Sequence, residues 1–334
     1  MPKALKAAIQ YIVLLLFTVG LLWLSLRGIT VAEGENKFEF IWKAWQQAHK
    51  GWLLMMALIA YISHFQRAER WRMLLEPSGN KGTLMNSFYS LMVGYMVNLA
   101  IPRGGEVSRC YNLYKLENAP VEVSFGTVIV ERIVDVLCLL LVIFLAFVVE
   151  WDRLMDFIDS LGIGKGSKGF HMPPWAVFAV VAIIVLAGLV FLFRKNERLR
   201  KVVRGFREGL TSIFKLEKKM LFAGHSVSIW ILYFFMSFCV VKAFDTTSHL
   251  GINAVLTLFA LGAIAMAAPL PGGAGSYHTI VPLGLVALYH LDRTDAVAFV
   301  FIFHAWQTLT MIVGGVISLI ITTLILRWRN PQTK

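Results

Sequence analysis

The run Val136–Val149, VLCLLLVIFLAFVV, holds fourteen residues without a charge. As a helix it would rise about 21 Å, apolar on every side, and such a helix is buried in protein or in lipid. Long apolar blocks recur at Ala7–Leu26, Gly51–Phe65, Thr83–Ile101, Val123–Val149, Pro174–Phe193, Leu221–Val241, Ile252–Ala268 and Asp295–Leu326. They leave the 334-residue chain 57% hydrophobic and only 16% charged, against about 25% charged in soluble domains. The expected class is therefore an all-α, polytopic integral membrane protein. Ala7–Leu26 is long enough to cross a hydrocarbon core of about 30 Å. It lacks the short apolar core and small-residue cleavage site of a signal peptide, so it counts as a helix.

Cys110, Cys138 and Cys239 lie in or beside apolar blocks at unrelated spacings and read as small buried hydrophobes. The eight histidines show no ligand-like spacing on a common helix face. Neither a metal nor a cofactor is expected.

The net charge of +12 is concentrated. Arg194 to Met220 carries ten Lys/Arg against three Asp/Glu. Leu199, Val202, Val203, Phe206, Leu210, Ile213 and Phe214 follow helical spacing there, with basic residues on the remaining face. Residues 196–216 fit a helix lying on anionic inner-leaflet lipid, and a solvated cytoplasmic connector fits equally well. Nucleic acid is not an expected partner.

Positive charge sets the orientation. Lys3 and Lys6 place the N-terminus inside, and Arg327 and Arg329 the C-terminus, so both termini are expected in the cytoplasm. Val31 to Lys50 suits an outer interfacial segment and Trp151 to Met172 an outer loop. Gly51 to about Phe65 returns inward and ends in Arg67, Arg70 and Arg72. Thr83–Ile101 then has cytoplasmic arginines on both flanks, which argues that it enters and comes back. Ile252–Ala268 begins a second such region. One re-entrant pair plus a final crossing satisfies the charges there, and so do three full crossings.

Both regions are broken by proline and glycine, at NLAIPRGGEVSRC (Asn98–Cys110) and LGAIAMAAPLPGGAGSYH (Leu261–His278). Each break sits between two crossings, in units of opposite orientation. Inverted repeats with discontinuous helices are a recurrent transporter design, and matching interruptions point to the binding site. The expected architecture is one transmembrane domain over residues 1–330. It has about six full crossings and two re-entrant broken pairs, with repeat units 51–150 and 221–326 and a basic loop at 194–220.

Three constellations could carry chemistry. Pro102 ends a helix and Gly104 and Gly105 permit a reversal. Glu106 would then stand in the first turn of a new helix, with Arg103 and Arg109 beside it. Two guanidiniums at a helix start suit a phosphate or carboxylate, and the alternative is arginines snorkelling to headgroups. Glu131, Arg132 and Asp135 precede the charge-free run and fall inside or at the edge of the core, where ionisable groups mark pathways; a tilted helix standing in the headgroups is the alternative. Pro269–Gly275, with Gly272, Gly273 and Gly275, forms the second break, followed by His278. By position in the repeat, His304 and Gln307 sit where Glu131–Asp135 sit. His304 alone also reads as a buried structural histidine. The glycines lack the Lys-Ser/Thr of a nucleotide loop, and no catalytic set emerges, so an enzyme is not expected.

At RAERWRMLLEP (Arg67–Pro77), GYMVNLAIPRGGEVSRCYNL (Gly94–Leu113), FGTVIVERIVDV (Phe125–Val136) and PLPGGAG (Pro269–Gly275), the chain resembles the lysylphosphatidylglycerol synthase transmembrane family. This is the flippase-like domain of the bacterial multiple peptide resistance factor and of many stand-alone proteins. The resemblance implies a multi-pass protein of the bacterial inner membrane with re-entrant segments, acting on membrane lipid. Arg103, Glu106, Arg109, Glu131, Arg132 and Asp135 match the family's polar positions, and Gly272, Gly273 and Gly275 its glycine turn. Many members carry Glu where this chain has His278. No soluble acyltransferase-like domain follows, so aminoacyl transfer to phosphatidylglycerol is not expected of this polypeptide.

The leading expectation is a flippase or transporter for a phospholipid, aminoacyl-phospholipid or polyprenyl-linked lipid. Arg103 and Arg109 would hold phosphate, with Glu106, Glu131 and Asp135 balancing them. The alternatives are a membrane-embedded lipid phosphatase or transferase, and a non-transporting envelope partner subunit. Oligomeric state is left open.

Overall fold

The computed structural model describes residues 12, 16, 18–27, 36–80, 82–160 and 216–329, with backbone alone at 157–160. The expected crossing Pro174–Phe193, the basic segment 196–216 apart from Leu216, and the chain ends lie outside them. The described residues are helical, with no strand among them. The helices are α1 (Thr18–Arg27), α2 (Lys37–Gln47), α3 (Lys50–Leu75), α4 (Leu84–Ala100), α5 (Gly104–Glu117), α6 (Val121–Val149), α7 (Trp151–Ser160), α8 (Lys219–Lys242), α9 (Ile252–Ala267), α10 (Ser276–Tyr289) and α11 (Arg293–Arg329).

Three of these, α6, α8 and α11, are long and apolar enough to span a membrane. Their outward faces carry Leu137, Leu140, Leu141, Ile231, Phe235, Ile317 and Ile320, all exposed. Exposed apolar stripes of this extent suit a lipid environment. The other end of the scale is α4, α5, α9 and α10, with 17, 14, 16 and 14 residues. None rises more than about 26 Å, and they pair in sequence as two hairpins, α4–α5 and α9–α10.

Two sequence expectations change. The crossing Gly51–Phe65 does not stop at its arginines: α3 continues to Leu75, because no helix breaker stands before Pro77 and because Arg67 and Arg70 find buried partners. The outer loop Trp151–Met172 begins as helix α7. Trp151, Leu154 and Met155 are half-buried on one face, Asp152, Arg153 and Asp156 lie exposed on the other, and Trp151 packs edge-on against Phe147.

The helices repeat a frame. Residues 172 apart correspond from the second hairpin arm onward. Helix α5 starts at Gly104 and α10 at Ser276; the left-handed C-caps are Asn118 and His290; α6 starts at Val121 and α11 at Arg293. The packing is exchanged in the same sense, since α4 lies against α11 and α9 against α6, while α3 and α8 lie against each other.

The hairpins open toward opposite ends of the bundle. At one end the Thr83 N–H donates to Glu117 Oε1 (3.0 Å), and Arg329 donates to the Leu116 carbonyl. At the other, the His49 N–H donates to the Ala243 carbonyl (2.8 Å), and the Arg153 guanidinium stacks on Tyr289 (5.0 Å). The tips meet between these ends: a Cβ on Gly272 would lie 3.0 Å from the Leu99 side chain.

Candidate functional site

The first tip shows what Asn-Leu-Ala-Ile-Pro-Arg-Gly-Gly does. Ile101 is extended, as the residue before a proline prefers, and Arg103 takes a left-handed φ of 61° at the N-cap of α5. Asn98 Oδ1 accepts the Gly105 N–H (2.8 Å), filling one of the free donors at that helix start. Gly105 lies against the backbone of Gly94, whose own Cβ would stand 2.7 Å from the Gly105 carbonyl oxygen, so α4 and α5 touch with no room for side chains.

This close approach aims α5 at α6. Arg109 Nη2 reaches Glu131 Oε2 at 2.6 Å, and Arg132 Nε reaches Glu106 Oε1 at 2.8 Å. From α3, Arg70 Nη2 lies 3.2 Å from Glu131 Oε1 and 2.8 Å from Asp135 Oδ1. Arg67 pairs with Asp135, lies 3.5 Å from Glu131, and donates to the Tyr233 hydroxyl of α8 (2.9 Å). Arg109 also stacks on Trp71 (4.7 Å), whose Nε1 donates to Thr127 Oγ1 (2.9 Å). Arg67, Arg70, Arg109 and Glu131 are all buried, and the Asp135 side chain is 13% exposed.

Three buried cations therefore face two anions. The cluster holds one surplus positive charge; Nε of Arg70 and Arg109 has no hydrogen-bond partner among the described residues, and Nε of Arg67 has only the 3.5 Å ion contact to Glu131. Burying an unbalanced charge is expensive, so such a site favours a further anion. Guanidinium donors at this depth fit phosphate or carboxylate oxygens. Glu106 and Arg132 form the outer edge of the cluster, with side chains 22% and 45% exposed.

Of the residues expected from sequence, Arg109, Glu131 and Asp135 come together, with Glu106 and Arg132 at the rim. Arg103 does not join them; it is exposed, and Glu106 pairs with Arg132 rather than with it. Arg132 lies 4.0 Å from Asp135, so its closer partner is on the neighbouring helix. Arg67 and Arg70 were missed as site residues. The available signal was the three-residue spacing of two arginines on a helix with no breaker.

The second tip is built from Pro271, Gly272, Gly273 and Gly275, with φ of 57°, 73° and 89° at the glycines. Two histidines hold it. The Gly275 N–H donates to His278 Nδ1 (3.4 Å), and His304 Nε2 lies 3.0 Å from the Gly272 carbonyl. The rings are 4.7 Å apart, His278 also packs on Phe301 (4.3 Å), and Ser25 of α1 donates to the His278 carbonyl (2.6 Å). The repeat frame sets His278 on Glu106, His304 on Arg132 and Gln307 on Asp135. His304 thus corresponds to a position within Glu131–Asp135, as the sequence suggests, and specifically to its arginine. No group of three or more metal-type side chains occurs among the described residues.

Residues 9–315 match the family model described as the lysylphosphatidylglycerol synthase TM region. Among curated proteins, a UPF0104 membrane protein of Methanothermobacter thermautotrophicus is 26% identical over 302 residues, covering 80% of this chain and 83% of that one. A UPF0104 membrane protein of Methanocaldococcus jannaschii is 36% identical over 69 residues, 20% of each chain. No solved structure matches.

Proposed function

The chain belongs to the lysylphosphatidylglycerol synthase transmembrane family, a membrane protein family linked to lipid handling, and we propose that it is a lipid translocator. Its cargo is a lipid with an anionic phosphate headgroup, whose tails stay in the bilayer. The observation that carries this reading is the surplus positive charge of Arg67, Arg70 and Arg109 over Glu131 and Asp135, buried beside a hairpin tip. A phosphate would balance it. The two hairpins act as opposed re-entrant segments whose touching tips separate the two sides, and rocking of the repeats exchanges access. The membrane is the cell's inner membrane, with α5 and α11 ending in the cytoplasm. On this reading the chain performs no covalent chemistry; the pairing of both buried carboxylates with arginines supports it.

The test uses purified protein in vesicles carrying tail-labelled phosphatidylglycerol, with an impermeant quencher reporting the outer leaflet. The wild-type chain should move the label and Arg109→Met should not. Equal movement by both overturns the role of the cluster. Release of free headgroup by the wild-type chain would turn the reading toward an enzyme.

A further inference from the structure

The two repeats close their hairpins on the following helix with different chemistry. In the first, Glu106 of α5 holds Arg132 of α6 in an ion pair at 2.8 Å. In the second, 172 residues on, His278 of α10 meets His304 of α11 at a ring separation of 4.7 Å. A carboxylate–guanidinium pair in one half stands opposite an imidazole pair in the other. Histidine is the side chain whose ordinary pKa, about 6.5, lies in the physiological range.

The hydrogen bonds assign the nitrogens. His304 faces a carbonyl with Nε2, so Nε2 carries the hydrogen and Nδ1 keeps its lone pair. His278 accepts the Gly275 N–H at Nδ1, so its hydrogen is on Nε2. A proton on His304 Nδ1 leaves the bond to Gly272 intact. A proton on His278 Nδ1 sets a donor against the Gly275 N–H and removes that bond. Gly272 and Gly275 both have left-handed φ, and Gly272 is the residue that touches Leu99 of the other tip.

We propose that His278 and His304 form a proton-binding site, and that a proton on His278 Nδ1 releases the 268–275 turn from the first hairpin tip. The proton comes from the aqueous phase on one side and occupies a ring lone pair. It leaves to the other side when the turn closes, with no other bond made or broken. Two cations would repel at this distance, so one proton is held per pair. The proton is thereby a co-substrate of the lipid movement proposed above, and only that coupling rests on the translocation reading.

His278 is buried, and the titratable ring against it is His304. Helices α2, α3 and α5 also pack on α11, and their charged residues include Lys37, Glu39 and Lys43, Arg67 and Arg70, and Glu106 and Arg109. Within α10 the titratable neighbour is Tyr277, whose ring stands 5.5 Å from His304; Tyr289 and His290 lie at the far end of the helix. Helix α9, the 268–275 turn and α4 present no charged side chain. From α1 the facing side chain is Ser25, and Arg27 stacks on Trp23. From α7, Arg153 stacks on Tyr289. The charged residues of α11 are Arg293, Asp295, Arg327 and Arg329, near its two ends.

The test places a single cysteine at Ala274, in the turn, in an otherwise cysteine-free protein in nanodiscs. Maleimide labelling is followed from acid to alkaline pH, each rate divided by that of the same cysteine in a His278→Gln/His304→Gln background, so that the reagent's own pH dependence cancels. The ratio should rise about tenfold on acidification. The second background, His278→Glu with His304→Arg, installs the first repeat's ion pair and keeps the test decisive should the glutamine variant not fold; it should also label without the acid rise. A ratio that stays flat against either background overturns the proton site. Lipid movement in vesicles with an imposed pH gradient separates the two readings. A pH-dependent turn in a protein that moves no labelled lipid sinks the translocator and leaves the site standing. A flat ratio in a protein that moves lipid does the reverse.

Discussion

If the buried cluster carries a surplus cation, anions and cations in it are not equally dispensable. Glu131→Gln leaves Arg67, Arg70 and Arg109 facing Asp135 alone, so the buried excess grows from one charge to two. At about 3 Å and an effective dielectric near 20, each lost contact represents roughly 5 kcal/mol of gross attraction. Removing one partner of a buried pair has a net cost of about 3–5 kcal/mol. Arg109→Met keeps the volume and leaves Glu131 within 3.2 Å of Arg70 and 3.5 Å of Arg67, two anions against two cations. What goes is one hydrogen bond and the stacking on Trp71, about 1–2 kcal/mol together. Unfolding of both variants in one mild detergent should show Glu131→Gln as the more damaging by at least about 1 kcal/mol. Adding phosphatidylglycerol at roughly a hundred times its dissociation constant should stabilise the wild-type chain by about 2.7 kcal/mol and leave Arg109→Met unmoved. Equal losses for the two variants, or equal stabilisation by the lipid, would refute the surplus-charge argument.

Gly105→Ala drives a methyl into the Gly94 backbone and Asn98, so it should lose at least about 1–3 kcal/mol in thermal unfolding, whereas Gly126→Ala, in open space on α6, should gain up to about 1 kcal/mol. Single cysteines at Lys115 and Arg329 should label from one face of sealed vesicles, and a cysteine at Asp152 from the other; labelling of 115 and 152 from the same face would defeat the opposed hairpins.

The membrane class, the helices α4, α6, α8 and α9 and both breaks were legible in the sequence, because apolar length and proline–glycine punctuation act locally. The partners of the charges were not. Arg67 and Arg70 looked like the inner flank of a crossing, since positive charge after an apolar block usually is one. What makes them buried is Glu131 and Asp135, more than sixty residues away. Spacing along one helix groups Arg103 with Glu106. Its left-handed N-cap conformation turns it out of that helix, and Glu106 is taken instead by Arg132 from the neighbouring one. The correspondence of the two halves was visible as two broken segments, but the register that aligns Glu106 with His278 and Arg132 with His304 needed the helix caps.

That register makes the Glu106–Arg132 pair the sharper test of how the rim works. Both side chains are partly exposed, so the pair contributes about 1 kcal/mol or less to stability, and Glu106→Gln, Arg132→Gln and the double change should all fold. Two roles remain. As a latch, the pair ties α5 to α6, and breaking it from either side frees the same contact; the double variant should then move lipid at the rate of either single one. As a binding rim, Arg132 meets the incoming phosphate while Glu106 restrains it. Glu106→Gln then leaves the arginine free and should tighten lipid binding, Arg132→Gln should weaken it, and the double variant should follow Arg132→Gln. Lipid affinity measured across the four proteins separates the cases. Under the proposed function the rim is expected, because the buried arginines behind it already carry the surplus charge that draws the headgroup inward. Identical affinity in all four would confine Glu106 and Arg132 to holding the helices together.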